Sequence, residues 1–103
     1  MKDYSAMSDF EINKAVDDIL HPPRPRHVKA YNCNYCNNPV DAWPIIISNR
    51  ISLMFDASTE EGNEAEWCLA SSPCDQIIVD YVTPDKMLRA AMIVYLQMME
   101  HKL

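Results

Sequence analysis

The sequence predicts an α+β domain, in which a small antiparallel sheet of three or four strands packs with an N-terminal and a C-terminal helix. Three observations predict it. A capping box opens a helical stripe near the start, short β-branched runs separated by turn residues fill the middle, and a Thr-Pro-Asp start opens an apolar segment near the end. The 103 residues suit a single domain, 1–103, with a long Pro- and Asn-rich connector over 22–42.

The first helix is expected over 9–20. Ser8-Asp9-Phe10-Glu11 pairs a hydroxyl that accepts from the third backbone N–H with a carboxylate that reaches back to the cap. Phe10, Ile12, Ala15, Val16, Ile19 and Leu20 recur as one apolar stripe, and Met7 is placed to act as a staple. His21-Pro22-Pro23 ends the helix, because proline removes donors and turns its predecessor away from helix. The connector then carries the chain's one basic patch, Arg24, Arg26 and Lys29, followed by the Asn-rich run Asn32 to Asn38, whose residues suit turns. Strands are expected at Trp43–Ile47, Ile51–Phe55, Glu66–Ala70 and Gln76–Tyr81, with turns at Ser48–Arg50 and in the acidic stretch around Gly62. The last helix spans 84–100. Thr83 stands at its cap, Pro84 at its first position and Asp85 at its positive end. Leu88 to Met99 is interrupted only by Arg89 and Gln97, so the helix needs cover on more than one side. A second subunit is the favoured cover, giving a homodimer through Met92, Tyr95 and Met99. The competing cover is the connector, through Val28, Tyr31 and Tyr35.

Composition excludes several functions. One glycine cannot build a P-loop or a dinucleotide fingerprint. A net charge of −6 opposes direct DNA binding, and it falls short of the dense acidic face that a nucleic-acid mimic needs. No apolar run approaches bilayer length, and Met1 to Ser8 lacks signal-peptide character. The expectation is therefore a cytoplasmic protein with reduced cysteines. Cys33-x-x-Cys36 is one tight pair, whereas Cys68 and Cys74 are widely spaced. No shared metal site is expected from that spacing, and no cofactor.

The candidate ligand-binding residues are Arg89, Trp43, Asn37, Asn38, Arg24 and Arg26. Arg89, the one charge inside the apolar helix, either clamps an anion bidentately or, as favoured, pairs with an internal acid such as Asp41 or Asp56. Trp43 either stacks on a ligand or, as favoured, anchors the core at the start of a strand. Asn37 and Asn38 either contact a ligand or serve a turn. No Ser/His/Asp or Cys/His order suggests nucleophilic catalysis, so no catalytic residue is assigned.

Three blocks carry a resemblance. Ser8-Asp9-Phe10-Glu11-Ile12-Asn13, Tyr35-Cys36-Asn37-Asn38-Pro39-Val40-Asp41-Ala42-Trp43-Pro44-Ile45-Ile46 and Leu88-Arg89-Ala90-Ala91-Met92-Ile93-Val94-Tyr95-Leu96 resemble, in order, the NinX-like proteins of lambdoid phages and prophages. The family pattern places Asn-Pro directly before the last block. Here Asp85-Lys86-Met87 separates Thr83-Pro84 from it, so the helix is expected to start a turn earlier. The resemblance implies a phage accessory protein in the bacterial host cytoplasm, with no established activity. Three functions follow. In order, these are a non-enzymatic protein that binds a host or phage protein, a binder or sequesterer of a small nucleotide-like ligand, and an acidic nucleic-acid mimic.

Overall fold

A computed structural model describes residues 3–21, 33–62 and 64–102. The connector arginines Arg24 and Arg26, and Val28 and Tyr31, lie outside the described residues. The elements run α1 (Asp9–Leu20), α2 (Pro39–Ser48), β1 (Ser52–Ser58), β2 (Ala65–Ser71), β3 (Ile78–Val82) and α3 (Met87–His101), with short 3-10 turns at Tyr4–Ala6, Pro73–Asp75 and Pro84–Lys86. The sheet is antiparallel, in the order β1-β2-β3. The α+β class and the terminal helices are as expected.

α1 starts as its sequence dictates. The Ser8 hydroxyl accepts from Glu11 N–H at 3.1 Å, and the Glu11 carboxylate accepts from Ser8 N–H at 3.2 Å. Its buried face is narrower than the predicted stripe: Ile12 and Val16 are fully buried, while Phe10, Ile19 and Leu20 are exposed. The face that meets the core runs 9, 12, 13 and 16, so two of its four positions are the polar Asp9 and Asn13.

The strand expected at Trp43–Ile47 is a helix instead. Asn38 caps it, its side-chain oxygen accepting from Val40 N–H at 3.0 Å. Pro39 takes the first position, and Asp41 lies in the first turn. This is the same cap-Pro-Asp grammar that signals a helix start at 83–85. At 38–41 it outweighs the β-branched run, because Ala42, Ile45 and Ile46 fall on one helical face and bury there. Pro44 is tolerated inside the helix, on its exposed side. The end is a Schellman turn. Ile51 N–H bonds Ile46 C=O at 3.0 Å and Arg50 N–H bonds Ile47 C=O at 3.2 Å, with Arg50 left-handed at φ 54°.

β1 and β2 form an unbroken ladder from Ser52↔Ser71 to Ser58↔Ala65. Their loop carries Glu60, Glu61 and Glu64, and Gly62 there adopts φ 84°, a backbone that glycine supplies without strain. The β2–β3 ladder has a register shift between Cys68 and Ala70. Its connection closes through Ser72 N–H to Ile77 C=O and Ile77 N–H to the Ser72 hydroxyl, both 2.9 Å.

α3 is the centre of the molecule. It packs on α1 and α2 and on all three strands, and Leu88 together with every residue from Ala90 to Leu96 is buried. The second cover that its all-round apolar character demands comes from α1 and α2 of the same chain. Of the three residues that the sequence assigned to a second subunit, Met92 and Tyr95 are buried within the one chain and Met99 is partly buried. The helix follows a 3-10 turn at Pro84–Lys86, so the extra turn before Met87 is present in tightened form; the Thr83 side chain bonds the Asp85 carboxylate and does not cap the backbone.

Candidate functional site

The polar positions on the inner face of α1 gather two of the sequence-predicted candidates, Arg89 and Asn37. Asp9 receives the Arg89 guanidinium on Oδ1 at 2.7 Å and the Asn37 amide on Oδ2 at 3.1 Å. The second guanidinium nitrogen of Arg89 donates to the carbonyls of Met7 at 2.5 Å and Ser5 at 3.2 Å. Arg89 therefore pairs with an internal acid, but that acid is Asp9. Asp41 instead accepts Asn34 N–H at 2.9 Å, and Asp56 accepts Ala57 N–H at 2.8 Å. The hydrogen bond from Asn37, with the bond and charge of Arg89, holds the Asp9 carboxyl below the ordinary carboxylate range against the opposing effect of its burial.

Asn13 extends the cluster. Its carbonyl oxygen accepts Cys36 N–H at 2.9 Å, and its amide donates to Asn34 at 3.0 Å. The turn at 34–37 is thus riveted to α1 by side-chain amides, and Asn38 then starts α2. Asn37 and Asn38 both serve local structure, one as a bridge to Asp9 and the other as a cap. The Cys36 thiol is buried here and donates to Asp9 C=O at 3.8 Å. Burial, reinforced by the Asp9 charge, pushes it up to about 12, which keeps it an unreactive thiol at neutral pH. All four cysteines are free thiols. Among the described residues no group of three or more His, Cys, Asp or Glu side chains is placed to hold a metal ion, and no helix is long and apolar enough to cross a membrane.

Trp43 belongs to a different surface. It is neither in a strand nor in the core: it stands 50% exposed on α2, with Val40 80% and Ile47 47% exposed at positions i−3 and i+4. Pro44 is exposed between them. These residues share one face of the helix, opposite the buried Ala42, Ile45 and Ile46. α2 is thus apolar on both sides and covered on one. The structure brings Arg89 and Asn37 together, leaves Trp43 apart from them on the outer side of α2, and puts Asn38 at that helix's start. Sequence reasoning missed Asp9, Asn13 and Asn34. Asp9 and Asn13 were visible as polar residues in phase with Ile12 and Val16. Asn34 carried no such signal.

An open groove lies between the end of α1 and α2, lined by Leu20, His21, Tyr35, Val40, Pro44 and Ile45 among others. It adjoins the exposed face of α2 through Val40 and Pro44.

No curated protein and no solved structure matches the chain. The model of one family, described as Bacteriophage P22, NinX, matches residues 3–99. That span takes in the capping box, the Asn-rich turn with α2, and the Arg89 helix, and it covers nearly the whole chain: the chain belongs to the phage P22 NinX family.

Proposed function

We propose that this phage protein is non-enzymatic and acts in the host cytoplasm by binding a host or phage protein through the outer face of α2. One observation carries the reading: Val40, Trp43 and Ile47 form an exposed apolar stripe at helical spacing. Each large side chain left in water forgoes roughly 1.5–3 kcal/mol of burial. Contiguous apolar exposure of this kind marks interaction surfaces, and a central tryptophan is the commonest hot-spot residue. The spacing i, i+3, i+7 is that of a helix laid into an apolar groove of its partner. A small-ligand site built on Arg89 and Asn37 is less well supported, because their donors are spent on Asp9 and on N-terminal carbonyls.

The test is a pull-down from infected cells with the wild-type chain and with Trp43→Ala, both checked for fold by circular dichroism. A stoichiometric protein that the variant fails to retain, and that binds the purified wild type alone, is the expected result. Equal retention by both chains, or a co-purifying small molecule in place of a protein, would refute the reading.

A further inference from the structure

Among the described residues the sheet leaves a strand edge unsatisfied: in the order β1-β2-β3, β1 has a strand beside it on one side only. Natural sheets blunt such edges with proline, charged side chains, a bulge or very short length. β1 has only the charge of Asp56. It reads Ser-Leu-Met-Phe-Asp-Ala-Ser, seven residues in continuous register with β2, with Met54 and Phe55 more than half exposed. β3, the other edge, is five residues long and sits on the ladder with the register shift.

The orientation of the free backbone groups can be read directly. Ala57 N–H donates to the carboxylate of Asp56, so it points away from β2. In an antiparallel ladder alternate residues face alternate edges. Leu53, Phe55 and Ala57 therefore present their N–H and C=O groups outward. The Asp56 carboxylate holds the Ala57 donor within the single chain, and a strand neighbour that pairs with Ala57 takes that donor over.

We propose that β1 pairs antiparallel with β1 of a second copy, about a twofold axis through Phe55, joining two three-stranded sheets into one of six strands. An axis at Phe55 uses the whole strand, matching Leu53 with the partner's Ala57 and Phe55 with the partner's Phe55, an aromatic cross-strand pair. It sets Asp56 against the partner's Met54. An axis at Asp56 would oppose two carboxylates, which is destabilising. Charge selects the same register. From Ala30 to Asp85 the sequence has a single Lys or Arg, Arg50, and the acidic β1–β2 loop begins at Glu60. Continued two residues beyond each end of the strand, pairing about Phe55 brings Arg50, whose guanidinium donates to Ile47 C=O at 3.0 Å within its own chain, level with the partner's Glu60, once at each end of the joined strands. The interaction is isologous, as a twofold requires. It uses β1 and not the side chains on the outer face of α2, so it is tested separately from the partner binding proposed above.

Light scattering and sedimentation between about 1 and 100 µM, which cover dissociation constants in the micromolar range, read the association. The expected result is a monomer–dimer equilibrium that weakens as salt rises. Arg50→Glu and Glu60→Arg each raise the dissociation constant about tenfold, and the double variant restores it. Register is read by oxidation. Phe55→Cys in a Cys74→Ser background cross-links two copies, because directly paired residues lie about 5.5 Å apart. Met54→Cys in the same background, which faces the partner's Asp56, does not. A monomer throughout the concentration range overturns the proposal. So does a dimer indifferent to both charge reversals, or one cross-linked through position 54 and not 55. Circular dichroism of each variant separates lost association from lost fold.

Discussion

Replacing Arg89 with alanine tests whether the polar cluster on α1 is the clasp that holds the N-terminal segment to the central helix. The guanidinium makes one charge-assisted bond to Asp9 at 2.7 Å and further bonds to the carbonyls of Met7 and Ser5. Hydrogen bonds to charged groups contribute about 1.5–3 kcal/mol each when fully buried. The Arg89 and Asp9 side chains are 17% and 33% exposed, so solvent screens the pair and its share falls at the lower end. Removing Arg89 also strips the Met7 and Ser5 carbonyls of a donor and leaves Asp9 with Asn37 alone. A total loss of about 2–3 kcal/mol follows, a large part of the 5–15 kcal/mol that holds a typical domain. For a chain of this size that lowers Tm by roughly 10–20 °C. Arg89→Lys keeps the charge but not the fork that reaches Asp9 and the carbonyls together, and it should recover less than half of the loss. Thermal unfolding by circular dichroism gives both numbers. An alanine variant within about 0.5 kcal/mol of wild type, the usual range for an unimportant surface change, would show that the clasp contributes nothing.

The lowered Asp9 carboxyl makes stability depend on acid: its contribution is complete above the ordinary carboxylate range and is lost as pH falls through its folded-state value, so Asp9→Asn should flatten the acid limb of a urea-midpoint profile. At the other extreme, Cys36 and Tyr4 are both raised to about 12, mainly by burial. The stability they lend is complete below about pH 9 and 10 respectively and declines toward pH 12, and a Cys36→Ala chain should show a shallower alkaline decline. With a maleimide at neutral pH, exposed Cys74 should react first and buried Cys36 and Cys68 only on unfolding; native-state labelling of Cys36 would contradict the packing described. Pro44→Ala should raise stability by about 2–3 kcal/mol in chemical denaturation, since proline inside a helix costs about 3 kcal/mol and its unfolded-state benefit returns up to 1; a fall in stability would mean that α2 depends on the proline.

The ends of this protein are legible in its sequence because their signals are local. The box at Ser8–Glu11 and the apolar run from Leu88 to Leu96 need only neighbouring residues to act, and the hairpin of β1 and β2 follows from alternation and an acidic, glycine-bearing turn. α2 was legible too, in Asn38-Pro39 and Asp41, but two local signals competed there. Burial of Ala42, Ile45 and Ile46 against the rest of the core, a tertiary fact, decided for helix over the β-branched run. Which acid meets Arg89 was beyond any local rule: Asp9 lies eighty residues away, and a side chain finds its partner by where packing puts it. The same holds for α3. Its sequence required cover on every side, and only the folding of α1 and α2 onto one face and the sheet onto the other determined that a single chain provides it.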